Sequence, residues 1–154
     1  MNYLKNNKDK YNINNITLTD NSYIRCKEPK KEIYHNISLG DIYLLKYGKT
    51  WYESNGFIPN RSMNKKYSEN NIKIMNTKKV KDYPELYERL KELEKNYNLK
   101  KLIERKKDML LKDFFKLLFK NVDNFCYMIK DEIINIFIDL NLHSLHGTLL
   151  YYDL

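Results

Sequence analysis

The stretch SLGDIYLLKYGKTWYESNGF, residues 38–57, decides the fold class. Ser38 is placed to cap a helix start, with Asp41 three residues later near the positive end of the helix dipole. DIYLLKY then gives a short helix, and Gly48 stands where a left-handed C-terminal cap is needed. Thr50-Trp51-Tyr52-Glu53 repeats the pattern as a capping box, and Gly56 ends that turn before Phe57 and Pro59. Three of the four glycines and the only tryptophan fall between residues 40 and 56. Two short, tightly punctuated helices are therefore expected here.

Upstream the period is two. Ile16-Thr17-Leu18-Thr19 alternates, Asp20-Asn21-Ser22 supplies turn chemistry, and Tyr23-Ile24-Arg25-Cys26 resumes the alternation, which predicts a hairpin. A polar break around Pro29 leads to a third strand over 32–37. Residues 1–15 are rich in Asn and Lys and are expected as a disordered arm.

Downstream, from about residue 66, the period becomes helical. Leu86, Leu90, Leu93 and Tyr97 fall on one face after Pro84, which a first helical turn tolerates. Glu85 with Arg89 and Glu92 with Lys95 are favourable pairs on the wet side. Asn98 marks a break, after which the apolar stripe broadens through Leu110, Phe114, Leu117 and Leu118. Asp123 is read as the cap of a last long helix carrying Phe125, Ile129, Ile133, Ile136, Phe137 and Leu140, apolar over much of its circumference and so packed on several sides. GTLLYYDL can close the chain as a strand over 148–154. The class is thus α+β: a small N-terminal hairpin or sheet with short helices, then a bundle-like helical part. We read 16–154 as one domain, β-rich over 16–60 and helical over 66–142.

The chain has 154 residues and a formal net charge of +8. Lys, Asn, Ile and Tyr make up nearly half of it, while Ala and Gln are absent, the bias an AT-rich genome imposes. The charge is uneven: residues 1–61 carry +4, residues 62–107 carry +7 and residues 108–154 carry −3. Cys26 and Cys126 lie a hundred positions apart without further ligands at metal-site spacing, and are read as reduced, buried small hydrophobes. The start lacks an apolar h-region and no run of about 18 apolar residues occurs, so neither a secretory signal nor a membrane partner is expected. The compartment these features point to is intracellular and cytoplasmic.

Two resemblances add to this. Trp51-Tyr52-Glu53-Ser54-Asn55-Gly56-Phe57 resembles the late aromatic-Tyr-Glu-x-x-Gly-Phe segment of GNAT-type N-acetyltransferases. There Gly-Phe opens a strand and the tyrosine can protonate the departing coenzyme A thiolate. The resemblance implies Tyr52 as general acid and acetyl-coenzyme A as cofactor, although no Arg/Gln-x-x-Gly-x-Gly/Ala turn precedes Trp51. Packing is the preferred reading, with Trp51, Tyr52 and Phe57 as core aromatics pinned by Gly48 and Gly56. The strand pair, IYLLKYGKTWYESNGF and the late LHGT together resemble uncharacterised proteins of nucleocytoplasmic giant DNA viruses. That likeness implies a viral accessory protein in the host cytoplasm or the virion.

Two further groups carry chemistry. His143 and His146, with Asp139 one turn earlier, have the spacing of a two-His, one-carboxylate metal site if the last helix runs to 146, yet Asn141-Leu142 reads as its end. Hydrogen-bonding histidines without metal are the preferred reading. Lys78, Lys79, Lys81, Lys100, Lys101, Arg105, Lys106 and Lys107, interleaved with tyrosines, are candidates for phosphate contacts. Because arginine is scarce, a solvated lysine face is preferred. The function expected is therefore non-catalytic, acting by protein–protein binding or self-association and without a cofactor. A degenerate acyltransferase and a nonspecific nucleic-acid binder are the alternatives.

Overall fold

The computed structural model of the chain describes residues 2–95 and 98–154. Two helical turns, α1 (Asn2–Asn6) and α2 (Lys8–Tyr11), occupy the expected arm and bury no side chain. Strands β1 (Asn15–Thr19), β2 (Tyr23–Lys27) and β3 (Tyr34–Ser38) follow, then helices α3 (Leu39–Tyr47) and α4 (Trp51–Ser54) and the two-residue strand β4 (Ile58–Pro59). The helical part comprises α5 (Ser62–Thr77), α6 (Leu86–Leu90) with a 3₁₀ turn over Lys91–Lys95, α7 (Leu99–Arg105), α8 (Leu111–Asn121), α9 (Phe125–Ile129) and α10 (Ile133–Asp139). Strand β5 (Leu149–Asp153) closes the chain. The α+β class holds, and the terminal strand forms.

The local punctuation behaves as its chemistry dictates. The Ser38 hydroxyl accepts the Asp41 N–H at 3.2 Å, and Gly48 takes φ +75° at the end of α3. Thr50 and Glu53 bond each other's backbone N–H groups at 3.2 and 2.6 Å, a complete capping box.

Strand partnership differs from expectation. Asp20-Asn21-Ser22 does not fold β1 onto β2. β1 pairs antiparallel with β5, which also holds β4, giving the order β1-β5-β4, while β2 pairs with β3. At the junction the Asp20 N–H donates to the Thr148 carbonyl at 3.1 Å and the Asp20 carbonyl accepts from Gly147 N–H at 2.6 Å. Asp20 hands the chain from one sheet to the other. Its Oδ1 takes the N–H and hydroxyl of Ser22. Its Oδ2 faces Gly40, where a Cβ would stand 2.8 Å away and force the buried carboxylate aside.

The cysteines correct a second expectation. Cys26 in β2 and Cys126 in α9 are joined as a disulfide, with Cα atoms 5.7 Å apart, inside the usual range for such a bridge. They are neither reduced nor separate, and the case for a reducing compartment made from them falls.

The core lies between α3 and the later helices. Leu44 and Leu45 of α3 and Leu111, Phe114, Phe115 and Leu118 of α8 are sealed from solvent, and α3 and α8 pack against each other along their length. Leu86, Leu90 and Leu93 are buried as their spacing requires, while Tyr97 lies outside the described residues. Arg89 is not on the wet side with Glu85. It turns inward, its Nε donating to Asp139 at 2.6 Å, with Glu132 beside it. The expected last helix is two helices, broken at Lys130-Asp131-Glu132, the one polar run in that stretch. No described helix is long and apolar enough to cross a membrane.

Candidate functional site

Helix α10 has an inner and an outer side. Ile133, Ile136 and Phe137 enter the core, whereas Ile134 and Ile138, one turn apart, are 71% and 70% exposed. The apolar run after Asp123 predicts a helix packed on several sides, and α10 is the second half of that run. It packs on one, and the outer isoleucines form an apolar ridge. Beside the ridge lies a groove of about 230 Å³ bounded by Ile134, Phe137, Ile138 and Leu142 and ending on His143, Ser144 and Asp41.

The polar end of that groove is built from the loop after α10 and the first turn of α3. Asn71 of α5, fully buried, clamps the loop from both sides. Its Nδ2 donates to the His143 carbonyl at 2.7 Å and its Oδ1 accepts the His143 N–H at 2.9 Å. Asn70 donates to the Asn141 carbonyl, and Asn141 itself takes φ +54°, a conformation asparagine tolerates. The Ser144 hydroxyl reaches both Asp41 oxygens, at 2.8 and 3.0 Å. Burial raises the Asp41 carboxyl above its ordinary value, opposed by the hydroxyls of Ser144 and Ser38 and by His146.

That shift has a measurable consequence. The folded chain keeps the Asp41 proton to higher pH than the unfolded chain, so it binds more protons in the window that opens at the ordinary aspartate value of about 3.9. Asp41 therefore contributes stability that is lost as pH rises through that window, and Asp41→Asn is expected to remove that loss relative to the wild type. Urea midpoints measured at intervals from acid to neutral pH check this; the same slope in both proteins would refute it.

The expected metal candidates do not converge. His143 stacks on Tyr67, ring centroids 3.8 Å apart, and His146 Nε2 lies 2.8 Å from the Tyr23 hydroxyl. Asp139 is held by Arg89 and by the Tyr83 hydroxyl at 2.8 Å, and the guanidinium above all keeps its carboxyl below the usual range. Among the described residues no three His, Cys, Asp or Glu side chains gather as a metal ion needs.

The lysine candidates fall on two surfaces. The chain at 78–81 runs beside 107–111 through a bridge at Lys79 and Leu110 and a bond from Lys81 N–H to the Lys107 carbonyl at 2.9 Å. Lys78, Lys79, Lys81, Lys106 and Lys107 are thereby brought to one edge. Asp108 and Glu104 pair with Lys81 and Lys107 there, at 2.7 and 3.0 Å. On α7, Lys101 and Arg105 flank a shallow groove with Leu102, and Lys100 lies over the Tyr87 ring.

The segment around Trp51 is mostly packing. Phe57 is buried, meets Tyr52 edge-on at 6.0 Å and packs on Tyr152 at 5.4 Å. Trp51 is not a core residue; it stands 43% exposed, edge-on to Tyr52. Gly56, at φ +87°, leaves room for the Tyr152 ring, which a Cβ would meet at 2.8 Å. After Phe57 the chain enters β4, and every strand pairing among the described residues is antiparallel. No protein-family model, curated protein or solved structure matches this chain.

Proposed function

We propose that this chain is a non-catalytic interaction protein that works by protein–protein binding through the outer ridge of α10, with a second copy of itself as the first partner. The observation that carries it is the pair Ile134 and Ile138, two large β-branched side chains left in water beside an apolar groove. Each loses about 1.5–3 kcal/mol of burial energy by standing exposed, which association recovers. An i, i+4 ridge fits the groove of a like helix, and a two-fold axis would place each ridge in the groove beside its symmetry mate. The polar residues nearest the ridge support a binding role, since Asp139, His143 and Ser144 are already engaged by Arg89, Tyr67 and Asp41.

Co-capture tests it. A tagged copy is expected to retain an untagged copy of the wild type and to lose it on Ile134→Lys with Ile138→Lys. Retention of the double variant at wild-type level would overturn the reading.

A further inference from the structure

We infer that the seam between the C-terminal end of α3 and the outer face of α8 is a binding surface for single-stranded nucleic acid. Lys112, Lys116 and Lys120 recur every four residues on α8, one row of lysines whose Cβ atoms are about 6 Å apart. Antiparallel to them, Lys46 and Tyr47 close α3. The Lys46 ammonium lies 5.2 Å from the ring centroids of both Tyr47 and Phe119, and the Lys116 ammonium 5.4 Å from that of Tyr47. Lys112 reaches the Asn76 side chain and stands against Gly48, where a Cβ would meet its Cδ at 3.1 Å.

Among the described residues none of these four lysines pairs with a carboxylate. The only acid of α8 is Asp113, in its first turn, where the helix dipole already favours it. Like charges at this spacing repel, so the row is a cost to the free chain that a polyanion removes. By contrast, Lys81, Lys91, Lys95 and Lys107 of the charge-rich middle segment all hold acidic partners. Three of the four unpaired lysines of the row thus lie in the third of the chain whose net charge is negative, and Lys46 lies in the first.

The kind of anion follows from what lies among the lysines. Tyr47 is 37% exposed, with Tyr43 packed beside it at 4.8 Å between ring centroids and the Lys46 and Lys116 ammoniums on its ring, so an unpaired base reaches the ring when those lysines turn to its phosphates. Anionic lipid fits less well, because Tyr47 is the only large exposed apolar side chain on α3 or α8, and Phe119 is covered by Lys46. The surface lies at the far end of α3 from Asp41 and does not depend on the α10 reading.

Fluorescence anisotropy with a labelled 20-nucleotide single strand, its duplex and phosphatidylserine vesicles tests this. Binding is expected to be tightest for the single strand, with log K falling against log salt at a slope of about −2.8 for four contacts. Lys112→Glu with Lys116→Glu should weaken it at least about tenfold and halve the slope. Lys116→Gln with Lys120→Gln should weaken it less, since no charge is reversed, but halve the slope as well, and Tyr47→Leu should weaken binding without changing the slope. Lys100→Glu with Lys101→Glu on α7 should leave it within about twofold. Tighter binding to duplex or vesicles, a salt-independent affinity, or loss through the α7 variant with the α8 variant intact would overturn the assignment.

Discussion

Cys26→Ala combined with Cys126→Ala is expected to lower the free energy of unfolding by about 4–5 kcal/mol, the largest effect of any change that leaves the helices and strands intact. The bridge closes a loop across 100 positions of sequence, and the loop entropy it removes from the unfolded chain corresponds to about 4.7 kcal/mol at that length. Its placement adds to the effect. Cys26 sits buried in β2 opposite His35, in a two-stranded sheet that shares no ladder with the other sheet. Two-stranded sheets are marginal alone. It is tied to the helices by its direct run into α3, by Ile24, Ile37 and Cys26 against the core, and by the covalent link to α9. Urea unfolding with and without reductant measures the effect directly. The wild type in reductant should match the double alanine, and the slope against urea should rise in both, because an unlinked unfolded chain exposes more surface. A midpoint unchanged by reductant in a protein shown to carry two free thiols would remove the staple from the account.

Phe115→Ala carries the second-largest expected effect, about 3–5 kcal/mol, or a fall in melting temperature of roughly 10 °C for a chain of this size. Phe115 is sealed from solvent, as are Phe114 beside it and Leu45 across the α3–α8 interface. That interface joins the strand-bearing first third to the helical remainder, so no smaller cluster can take over its burial. Phe115→Leu should cost less than about 1.5 kcal/mol, since most of the volume remains. Thermal denaturation followed by circular dichroism separates the two substitutions, and equal melting temperatures would place Phe115 outside the cooperative core.

What could be read in the sequence was local. Ser38, Gly48, the Thr50–Glu53 box and Gly56 act within one helical turn of themselves, and each does in the structure what its chemistry dictates. The buried row Leu86, Leu90 and Leu93 is likewise fixed by spacing alone. Partnership was not local and was misread. Alternation in Ile16–Thr19 marks a strand but not its neighbour, and the neighbour is Leu149–Asp153 at the other end of the chain. The two cysteines carry no spacing signal over a hundred residues, so only the fold brings them together.

The candidate surfaces were hidden for a different reason. Ile134 and Ile138 are the same residue type as the core-facing Ile133 and Ile136, and an apolar run cannot say which of its sides is left uncovered. Lys112, Lys116 and Lys120 were diluted by seven acids in their segment, several of which the fold commits elsewhere: Asp108 to Lys81, Glu132 and Asp139 to Arg89. Segment charge averages over faces that the structure separates.

Sedimentation velocity of the wild type and of the Ile134→Lys, Ile138→Lys variant, each across a hundredfold range of concentration, tests the proposed function most directly. The wild type is expected to shift from monomer towards dimer as concentration rises, while the variant stays monomeric with an unchanged melting temperature. Identical sedimentation of the two proteins at every concentration would contradict it.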